Sequence, residues 1–314
     1  MEKLRIIFMG TPDFAVGILD FIYKSNYDIV AVVTAPDKPA GRGQKINQSA
    51  VKIYATEKNL KVLQPTNLKE ESFLNELKSL NANLQVVVAF RMLPKVVWNM
   101  PSLGTFNLHA SLLPNYRGAA PINWAIINGE EKTGVTTFFI DEKIDTGAII
   151  LQKETVIGAK ETAGELHDRL MIIGANTVID TLKLIEKGQV ETTVQPAADN
   201  KTAYKLDRDN CKINFNNTSK TVYNLIRGLS PHPTAYTYII NDDEKWSVKI
   251  HKASYTIENH SFEPGTLLTE KKAIRIATLD GFIEVECIQL PGKKKMKPID
   301  LLNGFQFSRF AKCI

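Results

Sequence analysis

Through its first 190 residues the chain alternates short apolar, β-branched runs with longer stretches of helical period. Leu4–Met9 is apolar and stops at Gly10, and Asp13–Tyr23 then gathers its apolar residues on one helical face. Ile29–Thr34 predicts a second strand. After the polar stretch Ala35–Gln48 the pattern predicts a helix over Ser49–Asn59, a short strand at Lys61–Leu63 and a charged helix over Leu68–Leu80. Leu84–Phe90 is a strongly apolar strand. Gly104–His109, Val135–Ile140 and Ile149–Val156 predict further strands, with helices over Ala119–Asn128 and Thr162–Lys187. Alternation of this kind predicts an α/β domain with a mostly parallel sheet covered by helices on both faces.

The texture changes at Gln189–Lys201, a polar segment containing Gln195-Pro196-Ala197-Ala198-Asp199-Asn200. Beyond it lie a helix over Thr218–Gly228, the Pro231-His232-Pro233 turn and the short strands Ala235–Ile240, Trp246–Tyr255, Ala273–Ala277 and Phe282–Leu290. Short strands with turns between them suit a small β-barrel of the oligonucleotide-binding type. The expected division is a first domain over 1–189, a linker over 190–205 and a C-terminal domain over 206–314.

Composition narrows the class. With 44% hydrophobic and 23% charged residues the chain is neither disordered nor fibrous. No stretch approaches the roughly 18 apolar residues of a membrane span, and the apolar run at the start is too short for a signal peptide. Cys211, Cys287 and Cys313 are too far apart for a disulfide framework or a zinc site. A cytoplasmic protein is expected. The net charge of +5 divides unevenly: residues 1–190 hold 21 Lys/Arg against 20 Asp/Glu, and residues 191–314 hold 18 against 14. Lys293, Lys294, Lys295, Lys297, Arg309 and Lys312 face only Asp300 in the final 24 residues. Such a cluster serves either a solvated face or a polyanionic partner, and charge alone does not choose.

The chemistry is bounded first by exclusions. Gly10-Thr11-Pro12-Asp13-Phe14-Ala15 lacks the G-x-G-x-x-G of a dinucleotide site, and Pro12 has no N–H for a phosphate. The P-loop, H-E-x-x-H and G-x-S-x-G patterns are also missing. The dense region is Phe106-Asn107-Leu108-His109-Ala110-Ser111-Leu112-Leu113-Pro114. Asn107 and His109 are two apart on a strand and share a face. At the carboxyl end of a parallel strand they would meet a ligand crevice. An amide that donates to an oxyanion beside an imidazole that moves a proton suits acyl transfer. Asp145, in the loop Ile140-Asp141-Glu142-Lys143-Ile144-Asp145-Thr146-Gly147, is the candidate to orient His109. A solvated hairpin explains that loop equally well.

Asn107-x-His109-x-Ser111-Leu112-Leu113-Pro114, followed by Tyr116-Arg117-Gly118-Ala119-Ala120-Pro121 and Asp145-Thr146-Gly147, resembles the folate-dependent formyltransferases. The resemblance runs along almost the whole chain. It takes in Phe8-Met9-Gly10-Thr11-Pro12-Asp13-Phe14, Pro36-Asp37-Lys38-Pro39-Ala40-Gly41-Arg42-Gly43, Gly292-Lys293-Lys294-Lys295-Met296 and Asp300-Leu301-Leu302-Asn303-Gly304. The Arg42 loop and the C-terminal block resemble the branch that acts on a charged tRNA. The resemblance implies a Rossmann-like catalytic domain and a C-terminal barrel of the oligonucleotide-binding type. It implies formyl transfer from 10-formyltetrahydrofolate to the amino group of methionine on initiator tRNA, chemistry that needs no metal. No membrane partner is expected, and a monomer is the default because nothing in the sequence marks a symmetric interface.

Carried over by motif, Asn107, His109 and Asp145 would be catalytic. Ser111, Leu112, Leu113 and Pro114 would line the folate site with Arg91, Met92 and Leu93. Lys38, Arg42 and Lys45 would meet the tRNA acceptor end, and Lys293, Lys294 and Lys295 its backbone. Two positions depart from the family pattern. Pro231-His232-Pro233-Thr234 stands where Pro-Trp-Pro-Gly is usual, and Asn214 where an acid is common. The rivals are a formyltransferase for a small amine, such as a glycinamide ribonucleotide or an amino sugar, and an RNA-binding protein on a degenerate scaffold.

Overall fold

The computed structural model describes residues 3–40, 45–196, 201–270 and 272–314. The chain forms two compact units. One takes Met1–Gly118, Gly134–Thr155 and His167–Thr202, and the other Ala119–Thr133, Val156–Leu166 and Ala203–Ile314.

The first unit is built on a seven-stranded sheet. Its spatial order is Ile149–Val156, Lys132–Phe139, Thr105–His109, Leu84–Val88, Arg5–Gly10, Asp28–Val33 and Val62–Leu63. From Thr105–His109 to Val62–Leu63 every pairing is parallel. Thr105–His109 meets Lys132–Phe139 antiparallel, so the sheet is mostly parallel and Rossmann-like. Its central strands are apolar on both sides because both sides are covered. Ile7, Met9, Ala31, Val33 and Val87 bury one face against Phe73, Leu77 and Val97. On the other face the Ala163–Glu186 helix comes so close to the sheet that a Cβ on Gly174 would lie 2.8 Å from a methyl of Leu108. Gly10 ends the first strand where a Cβ would stand 2.6 Å from that of Ala15 and 2.9 Å from the Val88 carbonyl oxygen.

Helix boundaries follow local chemistry. Ser49 caps Ala50–Glu57, its hydroxyl accepting from the Lys52 N–H. Thr162 and Glu165 form a reciprocal capping box before Ala163–Glu186.

The core of the second unit is a six-stranded sheet ordered Leu267–Glu270, Ala273–Ala277, Gly281–Gln289, Glu244–Ile257, Ala235–Asn241 and Lys312–Cys313. Adjacent strands run antiparallel. An antiparallel bridge between Thr266 and Lys312 links the last strand to the first and nearly closes a barrel, which protects the edges from foreign pairing. The interior is filled by Ile213, Phe215, Val222, Ile226, Ile239, Val248, Ile250, Ile274, Ile276, Ile283 and Ile288. Two strands, Leu267–Glu270 and Lys312–Cys313, have no alternation of their own and escape a reading of hydrophobic pattern. A ribbon of Lys38–Ala40 with Lys45–Asn47 likewise lies inside the stretch expected to be loop.

Candidate active site

Asn107 and His109 sit on Thr105–His109 on the face opposite Leu108. His109 is 7% exposed. Its Nε2 lies 2.8 Å from the Tyr116 carbonyl oxygen, which can only accept, so in the neutral ring the proton sits on Nε2 and Nδ1 keeps its lone pair. Nδ1 is 3.7 Å from Asp145 Oδ2, too long for a hydrogen bond. Only the doubly protonated ring donates toward both neighbours. The Asn107 amide is half-buried and makes no hydrogen bond among the described residues.

Asp145 is placed by a network, not by His109. Its backbone is in the left-handed region at φ 55°, where a non-glycine residue needs support from its surroundings. Oδ2 accepts from the Gly118 N–H at 2.9 Å. Gln195, 8% exposed, donates to the Asp145 carbonyl at 3.0 Å and to that of Gly147 at 2.8 Å. Arg117 in turn holds the Gln195 oxygen through Nε at 3.1 Å and a terminal nitrogen at 2.6 Å. A Cβ on Gly147 would overlap the Phe139 carbonyl oxygen, so only glycine lets the loop lie this close to the sheet. Arg117 belongs to the motif that carries the resemblance. Gln195 belongs to none: it is a polar residue in a polar stretch, with no signal in spacing or period.

Ser111, Leu112, Leu113 and Pro114 follow directly from the strand. The Ser111 hydroxyl donates to the Asn115 carbonyl at 2.7 Å, and the buried Thr136 hydroxyl donates to the Ser111 carbonyl at 2.7 Å. Gln152 Nε2 donates to the Leu113 carbonyl at 2.8 Å. Arg91, Met92 and Leu93 follow the Leu84–Val88 strand. The Arg91 guanidinium is taken up by the carbonyls of Pro65 and Thr66, Leu93 is buried and Met92 exposed. The backbone N–H groups of Phe90, Arg91, Met92 and Leu93 make no hydrogen bond among the described residues. A row of free donors beside an apolar side chain fits a flat heterocycle edged with acceptors, such as a pterin.

The expected cationic groups fare differently. Arg42 lies outside the described residues. Lys38 is exposed, and Lys45 is described only as the start of its strand. Lys52, in the same basic run, is paired with Asp37, whose carboxyl the bonds from Gln64 and Lys52 hold below its usual range. Lys293, Lys294 and Lys295 are exposed and have no acidic partner among the described residues. Lys312 is paired with Glu263 at 2.6 Å and so is not a free charge.

Fold and site together define a class. Residues 3–182 match the family described as formyl transferase, and residues 205–306 the formyl transferase C-terminal domain. A sugar 3N-formyl transferase, WlaRD, solved in the presence of dTDP and 5-N-formyl-THF, superposes with a TM-score of 0.65 at 25% identity over 94% of this chain and 100% of its own. HypX from Aquifex aeolicus in complex with tetrahydrofolic acid shares the fold, with a TM-score of 0.63 at 18% identity over 96% of this chain and 47% of its own.

Sequence relatives place the chain more finely. A methionyl-tRNA formyltransferase of Flavobacterium johnsoniae is 66% identical over 313 residues, 99% of each chain. That of Bacteroides thetaiotaomicron is 49% identical over 317 residues, 98% of this chain and 97% of its own. The chain belongs to the methionyl-tRNA formyltransferase family.

Proposed function

We infer that the chain transfers the formyl group of 10-formyltetrahydrofolate to the amino group of methionine carried by initiator tRNA, yielding N-formylmethionyl-tRNA for translation initiation. What carries this reading is the gathering of Asn107, His109 and Asp145 around one strand end, in a chain 66% identical along its whole length to a methionyl-tRNA formyltransferase.

The folate supplies an activated formyl carbon on N10. The Asn107 amide, which makes no hydrogen bond among the described residues, donates to the formyl oxygen as negative charge develops there. His109, held by the Tyr116 carbonyl, adds a positive edge when its ring is doubly protonated. Asp145 accepts the proton that leaves the attacking methionyl amine, either directly or through the imidazole, and that proton returns to N10 as its bond to the formyl carbon breaks. Arg117 and Gln195 act at one remove, by fixing where Asp145 stands. Ser111, Leu112, Leu113 and Pro114 with Arg91, Met92 and Leu93 hold the folate, Arg91 through its backbone.

In this reading residues 1–189 carry the chemistry, 190–205 link, and 206–314 hold the tRNA with Lys293, Lys294 and Lys295, aided by Lys38, Arg42 and Lys45 at the acceptor end. A cytoplasmic monomer completes it. Among the described residues no helix is long and apolar enough to cross a membrane. The test is formyl transfer from 10-formyltetrahydrofolate, with methionyl initiator tRNA, methionyl elongator tRNA and free methionine as acceptors. Strong preference for the first is expected. Preference for an amino sugar or another small amine would replace this reading with its rival.

A further inference from the structure

Three features of the barrel converge on His251. The first is register. Between the Glu244–Ile257 and Gly281–Gln289 strands, Lys249 pairs with Gln289 and Ile250 with Ile288, after which the pairing passes to Lys252 with Cys287. His251 is therefore the extra residue of a bulge, a device that re-aims a side chain out of strand alternation. Ile250 and His251 are accordingly buried in succession, where the residues on either side alternate.

The second feature is an orphaned atom. His251 is 9% exposed, and its Nε2 lies 2.9 Å from Gln289 Oε1. Gln289 Nε2 donates to the Lys293 carbonyl at 3.0 Å. The Gln289 oxygen is thus the acceptor, and His251 Nε2 carries the proton. That leaves Nδ1 buried without a hydrogen-bond partner among the described residues, a costly state for a polar atom.

The third feature is charge. Burial holds the His251 pKa below its ordinary 6.5, and Lys295, Lys249 and His232 push the same way against the Gln289 bond. The strongest electrostatic influences on His251 come from basic groups. Lys249, Lys295 and His232 form no ion pair among the described residues. The Ser230 hydroxyl donates to the His251 carbonyl at 3.1 Å, tying the segment that carries His232 to the bulge.

Basic groups gathered around a buried proton acceptor form an arrangement that an anion completes. We propose that His251, His232, Lys249 and Lys295 form a proton-linked binding site for an RNA backbone phosphate. The choice of phosphodiester over a small anion rests on the tRNA reading and on continuity. Gln289, which holds His251, also holds the turn bearing Lys293, Lys294 and Lys295, so the site runs on into a row of exposed cations. When a phosphate arrives, His251 Nδ1 takes up a proton and becomes a donor, because the new negative charge offsets the burial and the cations. Binding then absorbs a proton between the depressed pKa of the free protein and the higher value of the complex. Affinity rises as pH falls through that window.

The experiment is equilibrium binding of initiator tRNA to the full chain at constant ionic strength, from about pH 8 to about pH 6. Wild type should bind several-fold more tightly at the lower pH. His251→Gln, which can still bond Gln289 but does not titrate, should lose most of that response. Lys249→Ala and Lys295→Ala, both exposed and expected to fold normally, should each weaken binding several-fold and reduce the slope of log Kd against log salt by about one. An unchanged pH response in His251→Gln, or unchanged salt slopes in both lysine variants, overturns the proposal. A chain that binds tRNA with this proton linkage yet does not formylate it would leave the site standing and remove the activity. Formylation without the linkage would do the reverse.

Discussion

In the first unit, Asp145, Gln195 and Arg117 are joined to one another and to backbone atoms by hydrogen bonds of 3.1 Å or less. On the barrel, Lys293, Lys294 and Lys295 stand exposed, with no acidic partner among the described residues. In the proposed function the two regions use polar side chains for different tasks. A transferring group needs donors fixed to a fraction of an ångström before it arrives. An RNA backbone needs positive charge within reach, and its binding gains from releasing counterions. Damage to the first region should therefore appear as lost rate at unchanged affinity. Damage to the second should appear as lost affinity at unchanged rate, and salt should imitate only the second.

The largest break in this contrast should come from the strand end. Asn107→Ala, His109→Ala and Asp145→Ala are each expected to lower kcat by about 10²–10⁴-fold while leaving the Kd for charged tRNA within about twofold. Single-turnover transfer alongside filter binding separates the two quantities. Gln195→Ala sharpens the same point from one step away. With the Asp145 and Gly147 carbonyls released, kcat should fall about tenfold at unchanged folate KM; a shift in KM alone would place Gln195 in binding instead.

A stability test asks whether every buried cation of the second unit serves RNA. Arg227 is 7% exposed and donates to Asn224 at 2.9 Å and to the Glu161 carbonyl at 2.9 Å, with burial lowering its pKa. Arg227→Ala should cost about 2–4 kcal/mol in denaturant unfolding, because buried acceptors lose their donor.

The weakest expected effect is a pH dependence of stability. His251 titrates below 6.5 in the folded chain and near 6.5 when unfolded. Below 6.5 the unfolded state binds more protons, so stability is full above that pH and declines as pH falls toward the folded-state value. The melting temperature should drop by about 1–2 °C more in wild type than in His251→Gln over that range.

Much of this was legible in the sequence, for reasons visible in particular residues. Ile6, Ile7, Phe8 and Met9 are all buried, and a run with no polar position announces a strand covered on both faces. Thr162 and Glu165 mark a helix start by a local rule that the structure obeys. The Asn107 and His109 pair could be found because strand period places i and i+2 on one face whatever the partners. What stayed hidden depends on contacts distant in sequence. Gln195 gains its place from Asp145, 50 residues away, and from Arg117, 78 residues away. Lys312–Cys313 is a strand because it pairs with Ile239 and Ile240, far back in the chain, and Thr266 meets Lys312 where the barrel nearly closes. His251 reads as an unremarkable strand residue until a one-residue bulge buries it directly after Ile250.

The most direct measurement is single-turnover formyl transfer at saturating methionyl initiator tRNA, with the Kd for the same tRNA determined in parallel. It compares wild type, His109→Ala and the combined Lys293→Ala, Lys294→Ala, Lys295→Ala variant. The expected result is a rate at least about a hundredfold lower with unchanged Kd for the first variant. For the second it is an unchanged rate with a Kd raised about tenfold or more. A His109→Ala enzyme that turns over normally, or a lysine variant that loses rate at saturation while keeping its affinity, would contradict the division of labour between the two regions.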